Sequence, residues 1–360
     1  MQRALKRKIY LDNIPLEEAR ERFFSALELP SPLPQEIVSV EDSLGRVTGA
    51  PAYARISSPH YHSSAMDGIA VRAEATFGAS EARPIRLALG REAFPVDTGD
   101  PLPPGTDAVV MIEQVHELPE EGMVELRGAA TPWQHVRVAG EDIVVGQLIL
   151  PEGHRIRPYD MGALLAGGLT SVAVRRKPSV VIIPTGDELV RPGDELKEGN
   201  IIEFNSTTLA GFVRQWGGEP IVHPIVPDSR ESLREAAAKA LERADILIIN
   251  AGSSAGSQDY TAPVVEELGE VLVHGVAINP GKPTLLGVAR GKPLVGVPGY
   301  PVSAALAMHE FVEPLIARFL GAMPQEEPEV RARISRKVPS KLGSLELLRV
   351  RLGEVEGKMV

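Results

Sequence analysis

A chain of 360 residues with 43% hydrophobic and 24% charged residues is long enough for two or three domains with sizeable cores. Its formal net charge of −10 offers no broad basic field with which to release counterions, which argues against a nucleic acid as partner. The absence of cysteine removes disulfides, thiolate zinc sites and cysteine nucleophiles, and fits a cytoplasmic setting.

Met1–Leu11 lacks the apolar core of a signal peptide. The longest mostly apolar stretch, Met161–Val174, is shorter than the roughly 20 residues of a membrane span, so a soluble protein is expected. Ile14–Leu27 predicts a helix, with Asn13 as N-cap and Pro15 near its first turn. From Leu44 to Leu150, short alternating runs broken by Gly and Pro predict a β-rich domain. Arg175–Pro178 marks a boundary, and beyond it strands and helices alternate. Strands are expected at Ser179–Ile183, Pro220–Val226, Asp245–Ile249, Val271–Ile278 and Pro293–Val297, and helices at Asn205–Trp216, Ser229–Ala244 and Val302–Leu320. The helix from Ser229 carries Leu233, Ala237, Ala240 and Ala244 on one face, with Asp228 as its candidate N-cap. This alternation predicts a mostly parallel sheet between helices, an α/β architecture. The run Pro324–Pro328 reads as a linker, and Glu329–Val360 holds strand-like runs too short to bury a core of their own.

Three turns at apolar strand ends carry the chemistry. They are Asn250-Ala-Gly-Ser-Ser-Ala-Gly256 with Asp259, Asn279-Pro-Gly-Lys282-Pro, and Pro298-Gly-Tyr-Pro301-Val-Ser303. In an open α/β sheet such turns converge on one crevice, where small residues let backbone N–H groups approach an anion. Pro184-Thr185-Gly186-Asp187-Glu188 follows a strand and offers a hydroxyl and a carboxylate to the same crevice. Asp228 and Asp259 also follow strand ends; for Asp228, capping the next helix is the structural alternative. A phosphorylated ligand among so many acids needs an oxygen-seeking divalent ion such as Mg²⁺, with Glu188, Asp228 and Asp259 as its expected ligands. Lys282 would add a point charge for an anion. In the β-rich domain, Asp67-Gly68, Asp97-Thr98-Gly99-Asp100 and Gly140-Glu-Asp142 each read, taken alone, as ordinary turns. The pair His60 and His62 would share one strand face, but no cysteine completes a zinc set, and a loop or interface role is the expectation.

The motifs SSAMDGIAVR (63–72), DTGDPLPPGTDAVVMIE (97–113), GEDI (140–143), PTGDEL (184–189), FNS (204–206), AGSSAGSQDYT (251–261), NPGKPT (279–284) and VPGYPVSA (297–304) together resemble the molybdopterin molybdenumtransferase family, MoeA and the gephyrin E domain. The resemblance covers roughly residues 10–340. It implies an N-terminal linking domain from residues 1–44 with 148–177, a β-rich domain at 45–147, an α/β/α molybdopterin-binding catalytic domain at 178–325 and a partial C-terminal β-domain at 326–360. It also implies a homodimer that inserts molybdate, or tungstate, into adenylylated molybdopterin with metal-dependent release of AMP. The adenylyltransferase that supplies the substrate is a further implied partner. Carried over by position, the catalytic set is Asp67, Asp142, Glu188, Asp228 and Asp259. The substrate-binding set is Thr98, Thr185, Gly186, Asn205, Gly252, Ser253, Ser254, Gly256, Lys282, Pro298 and Pro301. The chain departs from the family at Gly275 and Asn279, where lysine is common, at Tyr300 in place of Asn, at Asn250-Ala251 in place of Ser-Gly, and at Pro59-His-Tyr-His62 in place of an aromatic-Asp pair. A non-catalytic member that binds molybdopterin or acts as a scaffold is the alternative. The family's C-terminal domain is about twice as long as Glu329–Val360, so a longer native chain is expected.

Overall fold

The computed structural model describes residues 13–27, 32–251, 260–323, 330–355 and 358–359. The chain divides into two compact units, one of Met1–Glu36, Gly45–Gly49 and Arg175–Val360, the other of Ile37–Leu44 and Ala50–Val174.

The first helix, α1, spans Leu16–Ser25 and buries Leu16, Ala19 and Phe23. It begins later than the sequence suggests, and Asn13 is not its cap. Ile14 is instead held as a β-bridge to Val276, donating its N–H to Gly275 O, so the helix starts only after Pro15.

The second unit is built from short antiparallel strands. These are β1 (Gly68–Val71), β2 (Ile85–Ala88), β3 (Ala93–Val96), β4 (Ala108–Met111), β5 (Val115–Leu118) and β6 (Met123–Leu126). β1 lies between β3 and β4, and β6 between β2 and β5. Ile69, Val71, Leu87, Val110, Val124 and Leu126 form their shared core. Gly68 is required sterically, because a Cβ there would lie 2.0 Å from the carbonyl oxygen of Val110 on β4. A second cluster, including Val40, Leu150, Ile156 and Val174, surrounds α2 (Pro158–Ala166). Buried Asp160 closes the first turn of α2, accepting from the Arg157 N–H at 2.8 Å, from its guanidinium and from His154 Nε2 at 2.7 Å.

The other unit contains a six-stranded sheet. Its elements in chain order are β7 (Ser179–Pro184), β8 (Leu189–Val190), β9 (Ile201–Ile202), α3 (Asn205–Trp216), β10 (Glu219–Val222), α4 (Arg230–Arg243), β11 (Ile246–Ala251), α5 (Thr261–Leu268), β12 (Gly269–His274), β13 (Leu285–Ala289), β14 (Lys292–Pro298), α6 (Pro301–Ala307) and α7 (Glu313–Leu320). The sheet order is β10-β7-β11-β14-β13-β12, with the first four strands parallel and β13 antiparallel to both neighbours. Successive residues of a strand face opposite sides, so a sheet covered twice needs unbroken apolar runs. Val180, Ile182, Ile246, Ile248 and Val295 pack with α1, α3 and α7 on one face. Val181, Ile183, Leu247, Ile249 and Leu294 pack with α4 and α5 on the other. The fold is thus α/β with a mostly parallel sheet between helices, plus a β-rich part. Two expected elements are interrupted. The run from Val302 to Leu320 contains a π-helical turn, Met308–Val312, and the run from Val271 leaves the sheet after His274. The short strand Ile278–Asn279 pairs instead with Leu345–Glu346.

Candidate functional site

The parallel strands β7, β11 and β14 end side by side, and their carboxyl ends open on a cavity of about 430 Å³. Thr185 follows β7, Asn250 is next to last in β11 and Pro298 ends β14, and all three line it. Thr185 donates its N–H to Asn250 O at 3.1 Å, which joins the first two strand ends. The remaining wall comes from Glu188 and Leu189, from Ile201–Asn205 and from Pro283 and Gly299–Pro301.

The acidic residues are set by local bonding. Thr185 Oγ1 donates to Asp228 Oδ1 at 3.0 Å, and the Asp228 N–H donates to Asp187 Oδ1 at 3.0 Å. Asp228 is not the helix cap: Ser229 takes that place, its Oγ accepting from Ser232 N at 3.1 Å. That substitution leaves one Asp228 oxygen without a bond among the described residues. On the opposite wall Glu203 Oε1 accepts from Ser206 N at 2.8 Å at the start of α3, and Asn205 Nδ2 donates to Gly299 O at 2.7 Å. Two helix N-termini, at Asn205 and Pro301, therefore border the cavity, and each carries partial positive charge. They matter because no described lining residue is Lys, Arg or His.

In the β-rich unit Asp67 Oδ1 accepts from both the N–H and the hydroxyl of Thr98, each at 2.7 Å. These bonds favour the carboxylate, and they hold Asp67 below its ordinary carboxylate range. Asp142 Oδ2 accepts from Arg137 Nη2 at 2.8 Å. Asp67, Thr98 and Asp142 are all exposed.

Of the residues expected from the sequence, the structure gathers Thr185, Glu188, Asn205, Pro298 and Pro301 around one cavity, with Asp228 one hydrogen bond away. Gly186 adjoins Thr185 but does not line the cavity. A Cβ on it would lie 2.8 Å from the Glu188 carboxylate, so Gly186 gives that side chain its room. Lys282 is exposed and outside the lining, next to Pro283. Gly252, Ser253, Ser254, Gly256 and Asp259 lie outside the described residues. Among the described residues no three acidic or histidine side chains form a metal-holding group, and His60 and His62 do not begin one. Sequence reading missed Glu203 and the Ile201–Ile202 wall. The Glu203-Phe-Asn-Ser206 step before an apolar helix was the available signal for Glu203.

Residues 14–168 match the MoeA N-terminal region (domain I and II), and residues 181–318 match a probable molybdopterin binding domain. The chain is 32% identical to the molybdopterin molybdenumtransferase of Haemophilus influenzae over 88% of its own length and 80% of the relative's. Two solved structures of molybdopterin biosynthesis MoeA protein from Pyrococcus horikoshii are similar. One is 39% identical over 86% of this chain and 80% of its own (TM-score 0.74), the other 30% identical over 96% and 89% (TM-score 0.78). With both of its regions matched at these identities, the chain belongs to the MoeA family of molybdopterin molybdenumtransferases.

Proposed function

We propose that this chain inserts molybdenum, taken up as molybdate, into adenylylated molybdopterin and releases AMP. The observation that carries the reading is the cavity at the ends of β7, β11 and β14, with the Thr185–Asp228 pair at its edge and two helix N-termini along its wall. Hydrolysis of the adenylate consumes one water. The water oxygen bonds to one phosphorus of the anhydride, the bridging P–O bond breaks, and AMP leaves with the bridging or the incoming oxygen. Thr185 holds one oxygen of Asp228, and the other has no bond among the described residues. The N-termini of α3 and α6 supply positive potential in a cavity whose described lining lacks a cation, although Glu203 already takes the Ser206 N–H of α3 and Pro301 opens α6 without one.

The donor chemistry here suits Mg²⁺, a hard ion bound through one or two carboxylates plus substrate phosphates. Glu188 and Asp228, with Asp259, are the residues that would hold it, and when bound it would neutralise charge on the phosphate oxygens. Asp67, Thr98 and Asp142 are exposed and serve the same reaction in this reading, from the β-rich domain of the partner in a homodimer. The domains run over residues 1–44 with 148–177, 45–147, 178–325 and 326–360. The setting is cytoplasmic, and an adenylyltransferase delivers the substrate. No helix among the described residues is long and apolar enough to cross a membrane.

The test is AMP release from adenylylated molybdopterin, with molybdate or tungstate and with or without Mg²⁺. AMP is expected only when oxyanion and Mg²⁺ are both present, and the rates with the two oxyanions give the metal preference. Absence of AMP under every condition sinks the reading.

A further inference from the structure

The segment Ser58–Ser64 contains the two histidines that neither the cavity nor a metal group uses. It touches both loops that carry the β-rich unit's candidate residues. On the Asp142 side, the N–H groups of Asp142 and Ile143 donate to Ser58 O at 3.0 Å each, and Gly140 N donates to Pro59 O at 2.8 Å. The His62 ring reaches the same loop, its Nδ1 accepting from Ala139 N at 3.1 Å. On the Thr98 side, Gly99 N donates to Ser64 O and Ser64 N to Asp100 O, each at 2.9 Å. Tyr61 Oη donates to Gly99 O at 3.1 Å, one residue beyond the hydroxyl that holds Asp67. The rings are themselves located, His62 lying 5.0 Å from Trp133 and His60 meeting Tyr61 edge-on at 4.7 Å.

We propose that Ser58–Ser64 is a strap that sets the Thr98 and Asp142 loops in one register, with Tyr61 and His62 as positioning residues. The proposal rests on the reading that Asp67, Thr98 and Asp142 serve the transfer reaction. Backbone bonds alone would place the strap, but the Tyr61 and His62 side chains each bond to loop backbone beside a candidate residue. Tyr61 fixes the residue after Thr98, and His62 fixes a residue three before Asp142. Both loops are exposed, so few packing contacts hold them, and a displaced group can cost a large factor in rate. His62 accepts through Nδ1, and an asparagine there offers Oδ1 at the same δ position.

The test uses Tyr61→Phe, His62→Leu and His62→Asn in the full-length protein, alone and combined with Thr98→Ala or Asp142→Ala. Tyr61→Phe and His62→Leu are each expected to lower kcat for AMP release about tenfold with little change in KM, and His62→Asn to recover most of it. In double-mutant cycles His62→Leu should cost less than about twofold further once Asp142 is alanine, and Tyr61→Phe likewise once Thr98 is alanine. Full multiplicative losses in both cycles overturn the proposal. Amide hydrogen exchange provides a readout that needs no turnover. Exchange should quicken at residues 98–100 in Tyr61→Phe and at 139–142 in His62→Leu, and stay unchanged in β1, β3 and β4. Unchanged exchange in both loops removes the strap even if the transfer reaction is demonstrated. A protein that exchanges as expected yet never releases AMP removes the transfer reading instead.

Discussion

Thr185, Asn250 and Pro298 reach one cavity because three parallel strands end side by side, whereas Asp67 and Thr98 meet because two exposed loops are tied by hydrogen bonds. The α/β unit positions its groups through buried strands whose residues on both faces have almost no solvent exposure. The β-rich unit positions its groups through loop bonds with water on one side. Geometry set by a sheet is robust to surface substitution, and geometry set by loop bonds depends on each bond. The two sets of candidate residues should therefore respond differently to mutation.

The largest effects are expected where a carboxylate acts on the ligand. Asp228→Ala and Asp67→Ala should each lower AMP release about 1,000-fold, the scale for losing one group that stabilises a transition state. Asp67 is exposed, so its removal should cost little stability beyond that of its two Thr98 bonds. Comparable turnover in either variant breaks the idea that the two regions serve one reaction.

Next in size is Gly68→Ala, in the same motif as Asp67. The nearest atom to a new Cβ is a backbone carbonyl oxygen of the adjacent strand, which cannot rotate away. Overpacking of this kind should cost about 3 kcal/mol in denaturant unfolding. If Gly68→Ala instead keeps its stability and loses only activity, the motif's glycine is there for the ligand and the steric account is wrong.

This pair of residues also marks what was legible in the chain. The α/β unit could be read from physics: the apolar runs at 180–183 and 246–249, the helix face through Leu233 and Ala237, and the turns after Pro184 and Pro298 lie where pattern reasoning put them. What failed there was competition between neighbours. Asp228 and Ser229 both suit an N-cap, and only the Thr185 hydroxyl across the strand ends decides that Ser229 takes it. Ile14 was misassigned to a helix because its partner, Val276, is far away in sequence. In the β-rich unit Asp67, Thr98 and Asp142 each look like turn residues, and only the family resemblance marked them. The Asp67–Thr98 bond joins residues 31 apart through loops of no fixed period, so no local pattern could reveal it.

A smaller effect separates a structural acid from the candidate acids within the β-rich unit. Burial pushes the Asp160 carboxyl up, but the Arg157 and His154 hydrogen bonds outweigh it and hold the group well below the ordinary carboxylate range. A depressed native value contributes stability that is fully present above the unfolded value, about 3.9, and is lost as pH falls below it. Asp160→Asn should cost about 2 kcal/mol at neutral pH, the scale of hydrogen bonds to a charged group, and should flatten the loss of stability between about pH 4 and pH 2. An equally steep acid transition in that variant would shift the responsibility to other carboxylates. Asp245 is the first to examine, being lowered despite burial by bonds from Arg176 and Ser179.

The smallest expected effect concerns Lys282. The sequence makes it the main cation of an anion site, because Gly275 and Asn279 carry no charge. In the fold it is exposed and stands outside the cavity lining, while its neighbour Pro283 forms part of the wall. Asn279 is also engaged elsewhere, donating to Glu346 Oε2 at 2.7 Å, which places a carboxylate near the same turn. An exposed ammonium interacting with an anion through water contributes about 1 kcal/mol at most, and salt weakens it further. Lys282→Ala should therefore weaken molybdate binding about fivefold at low salt. The difference should shrink toward nothing at about 0.5 M salt, where the screening length falls to a few ångströms. Lys282→Arg should bind almost as well as the natural chain, since a screened charge has little geometric demand. A loss of 50-fold or more in Lys282→Ala, persisting in high salt, would place the ammonium in direct contact with the oxyanion. In that case the α/β unit's candidate residues would depend on individual side chains as strongly as the loop-built set does.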